Sequence, residues 1–223
     1  MNEELKNYWE TVRLRWVHSE YEKARMYMVY KSRLLKRLNS VRTSLEVGYG
    51  DGRWMSLLKT LGIDAYGIDI LENAALQLKN EGFSPIVADA REIPFRDDFF
   101  DLVYSFGVVE HFEGTENAIE EHVRVARPGG RIVITVPYLY SPLTLYWAAL
   151  HVKRGTFKKR PATFGKRYTA KNLREILEPL EVENITIEPF LFSIPKVKRI
   201  HLEAPLLEKL GLMLWAEMTK KRN

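Results

Sequence analysis

From residue 43 onward, short apolar runs alternate with amphipathic segments at near-regular intervals, and this alternation limits the fold more than any other feature. The apolar runs fall at 43–47, 65–68, 85–88, 102–105 and 131–136. Between them the periodicity is helical. Trp54, Leu57, Leu58 and Leu61 line one face of a segment closed by Gly62, and Leu71, Ala75 and Leu78 line another that ends at Gly82. A turn-rich loop over 91–100 replaces the next helix, and a helix over 115–126 stops at Pro128-Gly129-Gly130. Strands that are apolar throughout are buried on both faces, and parallel neighbours need crossover helices to cover them. The pattern therefore predicts a doubly wound, mostly parallel α/β sheet. A helix near 169–177, a strand at 182–187 and a final strand at 210–219 complete an expected seven strands.

Two segments stand outside the alternation. Residues 1–38 read as helix, with Leu5, Trp9, Val12 and Trp16 at i, i+4, i+7 and i+11 and Tyr27, Tyr30, Leu34 and Leu38 continuing the stripe to Asn39-Ser40. After Pro137 no period is visible until about residue 169. The division expected is one domain over 1–223: a helical cap at 1–40, a ligand-binding core at 41–137, an irregular insertion at 138–168, and the C-terminal part of the sheet at 169–223. A chain of 223 residues buries enough surface for such a domain without staples. Cysteine is absent, which excludes disulfides, thiolate zinc sites and cysteine nucleophiles, and no metal site is expected. Met1-Asn2-Glu3-Glu4 opens no apolar leader, so a cytoplasmic location is expected. No residue between Arg131 and Lys153 carries a full charge, but Pro137 and Pro142 interrupt that run and its first part suits a strand, so no transmembrane segment is expected.

The net charge of +5 conceals a division. Between His122 and Arg174 there are twelve Lys or Arg and no acid, whereas the rest of the chain is net acidic. A solvated basic face explains this, and so does an anionic partner.

The turn Leu45-Glu46-Val47-Gly48-Tyr49-Gly50-Asp51-Gly52 joins the first strand to its helix. Glycines let the backbone turn tightly and approach a ligand without an intervening Cβ, and the helix N–H groups favour a polar or anionic group. Such a turn is also found as plain structure, or as a dinucleotide fingerprint. The fingerprint needs G-x-G-x-x-G, and Arg53 stands where its third glycine belongs. Asp69 closes the second strand, where a carboxylate accepts ribose hydroxyls; Asp89-Ala90 closes the third, near where an adenine sits; Ser105-Phe106-Gly107 closes the fourth. All lie at the carboxyl ends of neighbouring strands, where open α/β sheets bind ligands.

Taken together, these pieces resemble the small-molecule branch of class I S-adenosylmethionine methyltransferases, such as quinone-biosynthesis enzymes. The resemblance covers about 44–137 and rests on the run 46–52, Tyr66-Gly67-Ile68-Asp69, Ala88-Asp89-Ala90, Phe100-Asp101-Leu102-Val103, Val109-Glu110-His111 and Arg127-Pro128-Gly129-Gly130. It implies S-adenosylmethionine as cofactor and S-adenosylhomocysteine as product. It implies Gly48 and Gly50 against the methionine part, Asp69 on the ribose, Ile70 and Asp89-Ala90 flanking the adenine, and Ser105-Phe106 near the amino group. Glu46, Tyr49 and Gly52 count with this cofactor site; Tyr49 and Asp51 stand where the family often has other residues. Catalysis in such enzymes is mainly alignment of the acceptor with an electrophilic sulfonium methyl, with removal of a proton where needed. His111 is eligible as that base, and it equally serves to shape the helix start; Glu110 and Tyr138 are further candidates.

The acceptor is less constrained. Ser105-Phe106-Gly107-Val108 is not the [DN]-P-P-[YFW] of exocyclic-amine nucleobase methyltransferases, and pyrimidine C5 chemistry generally needs the cysteine this chain lacks. Trp9, Trp16, Tyr21, Tyr27 and Tyr30, with Tyr138, Tyr140, Tyr146 and Trp147, would wall an acceptor site, and the basic stretch 153–171 follows. That combination suits a small or lipid-like acceptor. The alternatives are a tRNA or rRNA methyltransferase using the basic stretch against RNA, and a non-catalytic S-adenosylmethionine-binding protein.

Overall fold

The structure, a computed structural model, describes residues 20–80, 83–153, 165–191 and 209–222. Helix α1 (Glu20–Leu35) precedes β1 (Thr43–Val47), α2 (Arg53–Thr60), β2 (Asp64–Asp69), α3 (Glu72–Asn80) and β3 (Ile86–Val87). Then come β4 (Phe100–Phe106), a short 3₁₀ turn (Val109–His111), α4 (Thr115–Val125), β5 (Ala126–Pro137), α5 (Pro142–Lys153), α6 (Ala170–Leu177), β6 (Val182–Phe190) and β7 (Met213–Lys220). The strands form one seven-stranded sheet in the order β3-β2-β1-β4-β5-β7-β6. The first five pair in parallel, and β7 runs antiparallel between β5 and β6. The order reverses between β1 and β4, which places a crevice at their carboxyl ends.

Period-two alternation sends successive strand residues to opposite layers. Leu102 and Tyr104 pack with Val133 and Trp215 under Tyr30 and Leu34 of α1, Trp54 and Leu58 of α2, and Leu78 of α3. Val103 packs with Ile132, Ile134 and Leu214 under Ile119 of α4 and Leu173 and Leu177 of α6. Each fully buried Leu contributes about 1.5–3 kcal/mol relative to exposure. The stripe read over the N-terminal segment is borne out where it is described, since Tyr30 and Leu34 are buried. Leu5, Trp9, Val12, Trp16 and the Tyr21 side chain lie outside the described residues.

Three expectations need correction. The segment after Pro137 is not irregular: α5 fills residues 142–153. Its start obeys ordinary capping chemistry, because Pro142 has no N–H to lose at the first helical position and the Ser141 hydroxyl accepts the Thr144 N–H at 3.0 Å. Second, Pro128-Gly129-Gly130 does not precede β5 but lies within it. Ala126 pairs with Phe100, the register shifts, and pairing resumes at Arg131 with Leu102, so the Pro-Gly-Gly run forms a bulge. Third, β3 is only two residues long, half of what 85–88 suggested. Among the described residues no helix is long and apolar enough to cross a membrane.

Candidate functional site

The turn after β1 is stitched to β2. Gly48 and Tyr49 donate N–H bonds to the Ile68 carbonyl at 2.8 and 3.3 Å. Gly50 donates to Asp69 Oδ2 at 2.9 Å, and Leu71 donates to Asp69 Oδ1 at 3.0 Å. One carboxylate therefore ties the glycine turn to the start of α3. Gly48 has φ +75°, and a Cβ there would lie 2.5 Å from Val108 Cγ2. Gly50 has φ +55° and open space where its Cβ would point, so its main chain borders the crevice. Gly48→Ala combines left-handed backbone with a side-chain clash, and should destabilise the protein by about 1–3 kcal/mol in thermal unfolding.

Two residues assigned to the cofactor face inward. Glu46 is buried, and its Oε2 accepts the Met55 N–H and the Tyr104 hydroxyl, each at 3.2 Å. Burial raises its pKa well above the usual carboxylate range, against the lowering effect of those hydrogen bonds. Glu46 thus braces the first turn of α2 from below. The Tyr49 ring is buried as well and packs beneath the turn, where a Cβ on Gly67 would lie 2.8 Å from Tyr49 Cδ1. Gly52, at φ +70°, occupies the cap position of α2.

At the neighbouring strand ends, Ile70 is half-buried against the α1–α3 layer and Ala90 is buried in the opposite one. Asp89 is held by Arg91, whose Nη2 donates to Oδ2 at 2.7 Å, and that guanidinium lowers its pKa. Ser105 is buried with no hydrogen-bond partner for its Oγ among the described residues. Phe106 meets Tyr30 edge-on at 4.8 Å and Trp54 at 5.7 Å, and Tyr27 stacks on Trp54 at 5.0 Å. The structure therefore joins Gly50 to Asp69 directly, ties Gly48 to the Ile68 carbonyl next to it on β2, and sets Ser105 and Phe106 on β4, the other neighbour of β1.

Beyond β4 the chain buries an acid beside a histidine. Glu110 is 4% exposed, and burial pushes its pKa up to about 8. Its Oε2 has no partner among the described residues, and its Oε1 lies 3.7 Å from His111 Nε2. Burial lowers the His111 pKa to about 4. Residues 165–168 lie against this pair. Lys166 donates to the Glu110 carbonyl at 2.8 Å, Tyr168 donates to the Pro137 carbonyl at 2.9 Å, and Leu139 donates to the Tyr168 carbonyl at 2.9 Å. At Gly165 a Cβ would stand 2.6 Å from Glu110 Cγ and 3.0 Å from the His111 ring. The Tyr168 hydroxyl shares a 3.0 Å hydrogen bond with Thr115. Gly165, Tyr168 and Thr115 were not legible as site residues, because nothing local marks a contact between positions this far apart in sequence. Trp9, Trp16 and the cations at 154–160 lie outside the described residues.

Residues 45–134 match the family described as a methyltransferase domain. The uncharacterized protein MJ1123 of Methanocaldococcus jannaschii is 31% identical over 179 residues, 79% of this chain and 83% of that one. A tRNA (carboxymethyluridine(34)-5-O)-methyltransferase of Arabidopsis thaliana is 37% identical over 106 residues, which are 46% of this chain and 26% of that protein. The chain thus spans about a quarter of that relative's length. Haemonchus contortus phosphoethanolamine N-methyltransferase 2, solved with phosphomonomethylethanolamine and S-adenosylhomocysteine, superposes with a TM-score of 0.57 at 17% identity, over 82% of this chain and 49% of that one. This chain belongs to the S-adenosylmethionine-dependent methyltransferases of class I and is an enzyme that uses S-adenosylmethionine as its methyl donor.

Proposed function

We propose that the enzyme methylates a small or lipid-like acceptor held beneath the returning 165–168 segment, at the Glu110–His111 pair. The observation that carries this reading is enclosure: main chain at Gly165 and Lys166 lies directly against the pair and closes it off on that side, which suits a compact acceptor better than a large one.

The residues present fit the donor. Gly50 leaves room for a ligand against bare backbone. Asp69 accepts two N–H groups, and a carboxylate offers about four lone-pair sites, so it can also take ribose hydroxyls. The unpartnered Ser105 hydroxyl offers a further hydrogen-bonding group near the amino end of the methionine part. Ile70, Asp89 and Ala90 border the adenine side, whereas Glu46, Tyr49 and Gly52 shape the turn. The bound donor supplies a methyl group that is already electrophilic, so the protein's work is alignment and proton handling. A His111 with its pKa near 4 is neutral at physiological pH and can accept a proton from an acceptor hydroxyl or amine. Below about pH 8 Glu110 keeps its proton and can donate a hydrogen bond to the acceptor.

The test is transfer of labelled methyl groups from S-adenosylmethionine to fractionated cell extract. Label is expected in a nuclease-resistant small-molecule or solvent-extractable fraction. Label confined to tRNA would overturn the reading in favour of RNA modification, which the Arabidopsis relative and the twelve cations between His122 and Arg174 favour.

A further inference from the structure

We infer that α5 is a membrane-surface element: it lies on, and does not cross, an anionic lipid bilayer. The helix carries no acidic residue, and its residues through Val152 are uncharged apart from a His. It is too short to span, since twelve residues at 1.5 Å rise reach about 18 Å against a hydrocarbon core of about 30 Å.

Its exposed side is apolar. Leu145, Ala149 and Val152 stand at i, i+4 and i+7 and are all exposed, Leu145 by 54% and Val152 by 65%. Leu139 and Tyr140, just ahead of the helix, are exposed too. Soluble surfaces tolerate scattered apolar side chains, but a stripe in helical register marks a face made to be covered.

Charge identifies what covers it. The stripe ends at Lys153, and Arg154, Lys158, Lys159 and Arg160 follow in sequence. Among the described cations of this stretch, Lys153 is exposed at the very end of the stripe. Aliphatic side chains bordered by cations, without an acid from His122 to Arg174, fit the boundary between acyl chains and anionic headgroups. RNA would be better served by several exposed stacking rings, and here Tyr140 stands alone among the exposed aliphatic side chains Leu139, Leu145, Ala149 and Val152. The surface is separate from the Glu110–His111 site, and the inference does not depend on which acceptor is methylated.

The experiment is co-sedimentation of the full chain with vesicles of phosphatidylcholine alone or mixed with phosphatidylglycerol, at low and high salt. Binding is expected on the mixed vesicles, weakened by salt and weak on phosphatidylcholine alone. The double variant Leu145→Gln, Val152→Gln should bind the mixed vesicles at least about tenfold more weakly, since two apolar side chains that enter the acyl boundary are replaced by amides that resist leaving water. Leu76→Gln, an exposed apolar residue on α3, should bind as the unmodified protein does. Both positions of the double variant are exposed, and unchanged S-adenosylhomocysteine binding confirms that it is folded. The inference is overturned if mixed vesicles do not bind, if the folded double variant binds them equally well, or if tRNA binds in a way that the double substitution abolishes while vesicle binding persists.

Discussion

Replacing Asp69 by Ala is expected to weaken S-adenosylhomocysteine binding at least about tenfold in calorimetry and to lower the stability of the ligand-free protein. A tenfold loss corresponds to about 1.4 kcal/mol. Charge-assisted hydrogen bonds to ribose hydroxyls are worth about 1.5–3 kcal/mol each before water compensates, so the loss is comfortably supplied. The effect on stability follows from the structure alone. An acid standing free at a pocket edge would leave ligand-free unfolding almost unchanged, but Asp69 is buried and accepts the N–H groups of Gly50 and Leu71. Removing the acceptor strands two donors, at about 1–3 kcal/mol for each that water fails to reach. Asp69→Asn separates the two roles. Its amide oxygen can keep one of those N–H bonds but not both, so about half of the lost stability should return, while affinity stays reduced for lack of the charge. A folded Asp69→Ala protein with unchanged affinity would show that the ribose lies elsewhere.

Asp69 also illustrates what the sequence made legible. The positions of the strand ends follow from the alternation of apolar runs with helical segments, and β1 over 43–47 is found as read. A ligand crevice at those ends is a property of the sheet order, so its residue set could be named without coordinates. Which way each residue faces could not. A Gly-x-Gly turn has neither a two-residue nor a 3.6-residue period, and a strand end buried on both faces shows no polar side, so neither Tyr49 nor Glu46 betrays in the sequence that its side chain turns inward. Helix α5 was missed for a related reason. It is apolar on every side, periodicity detects only helices whose faces differ, and its Ser141-Pro142 start was a sign that the period could not confirm. The bulge in β5 hid behind Pro128-Gly129-Gly130, which reads as a stop wherever it occurs. The cover over Glu110 arises from contacts between distant positions, which leave no local trace.

That cover has a consequence for the response to pH. Burial raises the Glu110 carboxyl to about 8 from the usual 4.5, so the folded protein holds a proton there that the unfolded chain has released. Stability contributed by this group is therefore complete below about pH 4.5 and is lost as pH climbs toward 8. The shift is worth about 1.4 kcal/mol per unit, so the loss is of the order of a few kcal/mol. His111 and His122 act on the other flank. Burial lowers each to about 4, so folding favours their neutral forms and stability falls as pH drops from about 6.5 toward 4. Glu46, also raised by burial, adds to the alkaline loss. Glu110→Gln keeps the shape of the side chain and stays neutral throughout. Its melting temperature should match the unmodified protein near pH 5 and exceed it near pH 9, and Glu46, present in both proteins, cancels from the comparison. The same substitution should alter turnover once the acceptor is known, by removing an inflection near pH 8 from the profile of kcat. Parallel melting curves from pH 5 to pH 9 would mean that the Glu110 carboxyl is reached by water or paired with a cation, and that it sits in no enclosed acceptor site.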